Sequence, residues 1–382
     1  MSKSAKKRKK TSAAARRPAR AKSKTPARGK TAARAKAKVS RAKTTRAKTT
    51  SARARAPKPT VIDFHAHTVI PELIEFAFEK SMFAKRLATG APGGRAPGLP
   101  EEFERPMTNM ARRLADMDRM GVDIQVVSPS ILHQCTYFAE PEEALKMERL
   151  GNERIAEMVG RHPERLVGLG SVPLQDAMLA SEELQRCVDE LKLKGVIISS
   201  HVNGVELGDA KLRPFWAKAE QLGCVVFIHP AGSTDDRMRK HRLLITLGQP
   251  LEEAFAMSSL VYEGIIDEFP KVKIAFAHGG GYLPFYTGRH DMDYRFGRGG
   301  ANLKGDFSSY LPRFYYDTVL FNPDMLEFLL TKVPASHVIM ASDYPFAEKQ
   351  PVEFVRRAKK ISRKDQDAIL GANCAKLLGI SI

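Results

Sequence analysis

The sequence predicts an α/β fold, a (β/α)8 TIM barrel, and three observations lead there. From Thr60 onward eight apolar runs of strand length alternate with longer amphipathic stretches. Ionisable side chains recur at the C-terminal ends of those runs, the end that faces the active site in barrels of this kind. No Gly-rich phosphate turn follows the first run, which disfavours a doubly wound open sheet.

The elements follow in order. TVIDFHAHT (60–68) opens the series and, like the later runs, is continuous in Val, Ile and Phe, as parallel strands covered on both faces require. The stretch 69–106 carries Pro71, Gly90, Pro92, Gly93, Gly94, Pro97, Gly98 and Pro100, and reads as a long irregular loop over the mouth. An amphipathic stretch at 107–120 leads to VDIQVVSPS (122–130), and 140–161 leads to RLVGLGSVPL (165–174). Helical patterns at 176–193 and 212–222 flank GVIISSHVN (195–203). CVVFIHPAG (224–232), a helix over 250–268 and VKIAFAHGGG (272–281) continue the alternation. A Gly/Arg-rich segment (295–305), FYYDTVLF (314–321), a helix over 322–332 and VIMASDYPF (338–346) complete it.

Charge divides the 382 residues unevenly. The chain has 62 Lys and Arg against 43 Asp and Glu, yet 23 of the basic residues and no acid lie within 1–60. The remainder holds 39 basic and 43 acidic residues, a net of −4, so a basic tail joins a mildly acidic body. Residues 1–58 are built mainly from Lys, Arg, Ala, Thr, Ser and Pro, with Val39 as the single branched aliphatic, and are expected to be disordered. Residues 59–382 are expected to form the barrel. The tail reads either as a solvated extension or as a polycation that contacts nucleic acid or another polyanion without sequence preference. No run approaches the ~18 apolar residues of a membrane helix. Cys135, Cys187, Cys224 and Cys374 lie far apart with no C-x-x-C, and the N-terminus lacks a secretory apolar region. A cytoplasmic location is the expectation.

His65 and His67 are one residue apart on a strand, so both side chains share a face. With His229 from the fifth run and Asp343 from the eighth they make a three-His, one-Asp set suited to one divalent ion, Zn²⁺ above all and Mn²⁺ as the other choice. His278 closes the sixth run. Asp317 reads as a brace or as a residue behind the ligands. His201 reads either as a hydrogen-bonded core residue or as part of the site. His133, His162, His241, His290 and His337 read as surface or rim.

The segments DFHAH with Pro71, MDRMGVDIQVVS, RLVGLGSVPLQ, FIHP, FPKVKIAFAHGGGYLPFYTGR and SDYPF resemble the amidohydrolase superfamily, in its aminocarboxymuconate-semialdehyde decarboxylase branch. The resemblance covers roughly 60–382. It implies His65, His67, His229 and Asp343 as metal ligands, His278 as acid/base beside a metal-bound water, and Arg289 at the active site. It further implies a homodimer, with Arg295 or Arg298 reaching a neighbouring subunit. A substrate-binding arginine in the first insertion falls on Arg105 or Arg95. Ala231, Gly232 and Ser233 stand where the branch carries an aromatic residue. The function expected is decarboxylation of a small, anionic, unsaturated or aromatic acid; the alternative is hydrolysis of a lactone or amide on the same barrel.

Overall fold

In the computed structural model the described residues are 59–74, 101–130, 134, 136–230, 235–299 and 302–382. The expectation for 1–58 lies outside them, as do His133, Cys135, Arg95 and the segment 231–234.

Ten strands are present among the described residues, eight of them parallel staves of a barrel. These are β1 (Ile62–Thr68), β2 (Ile124–Pro129), β3 (Leu166–Gly168), β4 (Gly195–Ile198), β7 (Val225–Ile228), β8 (Lys273–Phe276), β9 (Tyr315–Asp317) and β10 (Val338–Ile339). The other two, β5 (His201–Val202) and β6 (Val205–Glu206), pair as a small antiparallel hairpin after β4.

Ladders join β1-β2-β3 and β10-β9-β8-β7-β4, and two further contacts close the ring. Gly170 pairs with Val196 between β3 and β4. Between the last and first staves, Ala66 pairs with Tyr344, and His67 N donates to Tyr344 O at 2.8 Å. With every stave paired on both sides, the barrel sheet has no open edge among the described residues.

Two apolar layers follow from the period-two alternation of each strand. Ile62, Phe64, Val126, Ile197, Val225, Phe227 and Ala275 fill the lumen, and the helix Asn373–Leu378 packs Cys374, Leu377 and Leu378 beneath them. The opposite faces, among them Val196, Ile198, Val226 and Ile274, pack against the surrounding helices. Gly371, just ahead of that last helix, passes so close to β1 that a Cβ there would stand 1.9 Å from Thr60 O. Only glycine allows this approach.

The outer helices include α1 (Glu101–Thr108), α2 (Met110–Met120), α3 (Pro141–Arg161), α4 (Ala177–Asp189), α5 (Arg213–Leu222), α6 (Gln249–Tyr262), α7 (Ile265–Glu268) and α8 (Gly288–Arg295), followed by Pro323–Leu329 and Pro351–Arg357. Helix α1 corrects the expectation of an irregular loop throughout 69–106. Pro106 reads as a breaker, yet three glutamates in the first turn favour the helix N-terminus, and Pro106 and Met107 bury against the barrel. Several predicted strands also proved shorter than their apolar runs. Their C-terminal halves leave the ladder and turn polar side chains toward the mouth.

Candidate metal centre

His65 and His67 stand at the top of β1, where the register against β2 slips between Asp63 and Ala66. Asp343 follows β10 and His229 follows β7. One donor atom from each of these four residues falls within 4.8 Å of the others, and all but Asp343 are fully buried.

The tautomers can be assigned from the partners. His67 Nδ1 faces the Pro129 carbonyl at 3.3 Å, and a carbonyl only accepts, so Nδ1 carries the hydrogen. His65 Nδ1 lies 2.8 Å from Asp317 Oδ2, whose other oxygen already accepts from Gly279 N and Val319 N, so this Nδ1 donates too. Both Nε2 atoms are then lone pairs. They are 3.0 Å from each other, and 3.3 and 3.2 Å from Asp343 Oδ1. Three acceptors thus converge with no hydrogen between them. In a buried site this is repulsive unless a cation sits among them, so the residues fit a divalent metal.

The electrostatics agree. Burial holds His67 below its ordinary value, with His65 adding to the effect. Burial and the three neighbouring rings hold His229 far below. Both are therefore the neutral imidazoles that a metal requires. Burial opposes charge on Asp343, but the protonated His278 beside it holds its carboxyl well under the usual range.

His278 follows β8 at φ 46°, and Asp343 sits at φ 54°. Both are left-handed positions that non-glycine residues seldom adopt, and they cluster at functional sites. The glycines after His278 permit its turn: a Cβ on Gly281 would lie 2.1 Å from Pro250 O. His278 Nε2 is 3.9 Å from Asp343 Oδ2, while Nδ1 lies 2.7 Å from Glu253 Oε1. Glu253, on α6, is fully buried, and burial pushes its carboxyl up to about 7. Burial alone would lower His278, yet Glu253 and Asp343 hold it well above its ordinary value. The pair keeps a proton through neutral pH.

A second buried network braces the first and last staves. Asp63 accepts from Ser342 N (2.9 Å), Ser342 Oγ (2.6 Å) and Gln125 Nε2 (2.9 Å), which fixes the residue next to Asp343. Arg113 of α2 donates to Gln125 Oε1 (2.7 Å) and to His67 O (2.5 Å), and stacks over Tyr344. Burial lowers Arg113 to about 10, so it stays charged.

The sequence-selected residues thus divide. His65, His67, His229, Asp343 and His278 converge, with Asp317 behind His65. His201 lies on the β5–β6 hairpin, where Nδ1 accepts from Gly204 N and Nε2 is 3.7 Å from Glu252. Arg289 is exposed on α8. Arg105 is exposed on α1, lining a surface hollow with Glu101, Glu104, Thr108 and Asn109. Glu253, Arg113 and Gln134, which contacts His229, were not singled out by sequence; charged residues on an amphipathic helix read as solvent-facing, and Gln134 has no motif around it.

Comparison with known proteins places these observations. A family model described as amidohydrolase matches residues 62–380. A Dictyostelium discoideum protein named 2-amino-3-carboxymuconate-6-semialdehyde decarboxylase is 34% identical over 280 residues, covering 70% of this chain and 76% of the relative. The crystal structure of 5-carboxyvanillate decarboxylase from Sphingomonas paucimobilis superposes with a TM-score of 0.77 at 25% identity, over 84% of this chain and 99% of that one. A dihydroxybenzoic acid decarboxylase from Polaromonas, solved with bound manganese, shares the fold at 23% identity and a TM-score of 0.72, over 84% and 97%.

Proposed function

Because this chain belongs to the amidohydrolase family, we propose that it is a metal-dependent carboxy-lyase acting on a small unsaturated or aromatic carboxylic acid. The observation that carries this reading is the convergence of His65 Nε2, His67 Nε2 and Asp343 Oδ1 beside a buried His278–Glu253 pair. His65, His67, His229 and Asp343 would hold the ion. Bound there, it supplies a Lewis acid that polarises an oxygen of the substrate or of water. The relatives named above are decarboxylases of acids of this kind.

The chain's own residues supply the rest. His278 holds a proton at Nε2, with Nδ1 donated to Glu253. Delivered to the carbon that bears the carboxylate, this proton leaves that carbon tetrahedral. The C–CO2 bond then breaks, its electron pair returns to the unsaturated system, and CO2 departs; His278 regains a proton from water. The burial of His65, His67 and His229 limits water around the developing charge.

Several finer assignments complete the proposal. Zinc is the ion, with manganese its competitor, since three imidazoles and one carboxylate suit a borderline cation. Arg289 and Arg105, together with His201, receive the anionic substrate. The protein works as a homodimer, a reading that the exposed aromatic side chains Tyr286, Phe296 and Phe321 support. It is cytoplasmic; no helix among the described residues is long and apolar enough to cross a membrane. The barrel is a domain of 59–382, and the basic segment 1–58 contacts polyanions such as nucleic acid.

Elemental analysis of wild type and Asp343→Ala, followed by CO2 release from a panel of dicarboxylic and hydroxybenzoic acids, tests the central claim. About one equivalent of metal lost in the variant, with CO2 evolved by wild type, is the expected result. Metal without CO2, and turnover of a lactone or amide instead, would replace decarboxylation with hydrolysis.

A further inference from the structure

Four buried side-chain atoms lack a hydrogen-bond partner among the described residues: Gln134 Oε1, Gln175 Oε1, Ser199 Oγ and Glu253 Oε2. An unpaired buried polar atom costs free energy, so one standing beside a reaction centre points to a ligand. Glu253 is accounted for behind His278, and Gln175 serves the backbone of the 136–139 turn through its Nε2. Gln134 and Ser199 remain, and both adjoin His229.

Gln134 is fully buried. Its Nε2 donates to His229 O at 2.7 Å and lies 3.4 Å from His229 Nδ1. The bond to the carbonyl fixes the amide's sense: nitrogen toward His229 O, oxygen left free. Oε1 can therefore only accept.

Ser199 reaches the same place from the neighbouring stave. Ile198 pairs with Ile228, and His229 N donates to Ile198 O at 3.0 Å, so the ladder brings Ser199 alongside His229. Ile197 packs in the lumen with Phe227, and side chains two apart on a strand share a face. Ser199 thus points into the lumen, as His229 does. Its backbone N is bonded to Tyr137 Oη at 3.4 Å while the hydroxyl stays unpaired.

We propose that Gln134 and Ser199 are specificity-determining residues: an uncharged pair that takes a hydroxyl or amino substituent of the substrate on the His229 side of the metal centre. This rests on the carboxylic-acid reading above. The substituent must donate, because Gln134 Oε1 only accepts. A hydroxyl satisfies both residues, giving its hydrogen to Gln134 and accepting that of Ser199. An unsubstituted acid leaves both atoms buried and unpaired. A site built around a polar group discriminates strongly against the analogue lacking it.

The test uses the full chain loaded with zinc or manganese, with metal content measured on every sample. Calorimetry gives Kd for benzoate, 2-hydroxybenzoate and 2-aminobenzoate. The expected result is a preference of about tenfold or more for the two substituted acids, reduced by roughly an order of magnitude in Ser199→Ala and in Gln134→Met. Because Gln134 touches His229, a Gln134→Met protein that loses metal is set aside and Ser199→Ala, which bonds no proposed ligand, decides. A preference that survives in metal-replete Ser199→Ala overturns the proposal, as does wild type that binds benzoate equally well. Metal-loaded wild type that binds none of the three acids overturns the carboxylic-acid reading beneath it.

Discussion

Asp317 Oδ2 lies 2.8 Å from His65 Nδ1, and both side chains are wholly buried. The other oxygen of Asp317 is held by two backbone N–H groups, from Gly279 and Val319. The carboxylate is thus fixed before it fixes the imidazole, and His65 can present only Nε2 to its neighbours. Asn at position 317 would remove the charge and offer a hydrogen in its place. Asp317→Asn should weaken metal binding by roughly 10- to 100-fold, measured by competition with a chelator, while His67 remains in place.

Stripping the ion should leave three converged acceptors with nothing between them. A chelator-treated sample should lose CO2 release and melt at a lower temperature than the loaded protein. Zinc or manganese should restore both. Equal melting temperatures with and without metal would contradict the assignment of these atoms.

Glu253 acts through His278, holding its ring and its Nδ1 hydrogen. Glu253→Gln should reduce kcat on the order of 10²-fold with KM changed little, because the substrate meets Nε2 and not Glu253. Steady-state kinetics on metal-replete protein check the split. A rise in KM at constant kcat would place Glu253 in binding instead.

Glu148 of α3 offers a pH test away from the metal. It is buried, accepts from Thr136 Oγ1 at 2.6 Å and from Ser171 Oγ, and has no cationic partner among the described residues. Burial raises its carboxyl from 4.5 to about 7, and nearby Glu183 adds to the rise. The folded state therefore binds this proton more tightly than the unfolded one. Its stability contribution is whole below pH 4.5, falls as pH climbs toward 7, and levels off above that. The difference amounts to about 3 kcal/mol. Glu148→Gln should melt closer to wild type at pH 5 and gain on it at pH 8.

The barrel and its centre were legible because periodicity and motif coincided. Each of His65, His67, His229, His278 and Asp343 ends an apolar run, and a strand end is the place where a buried polar group reads as out of pattern. Glu253 gave no such signal. On a helix that also carries Glu252 it reads as solvent-facing, and only the passage of α6 behind the His278 turn buries it. Arg113 was hidden in the same way among the charges of α2. Helix α1 was missed because Pro106 is a local rule that burial against the barrel overrode. Gln134 and Ser199 are ordinary residues in ordinary contexts, and their meaning lies wholly in what they fail to bond.

The helix Asn373–Leu378 packs Cys374, Leu377 and Leu378 against the lower lumen beneath Ile62 and Phe64. It closes the floor of the barrel among the described residues, so a substrate of the proposed activity would come to His229 and His278 from the opposite end, where the strands finish.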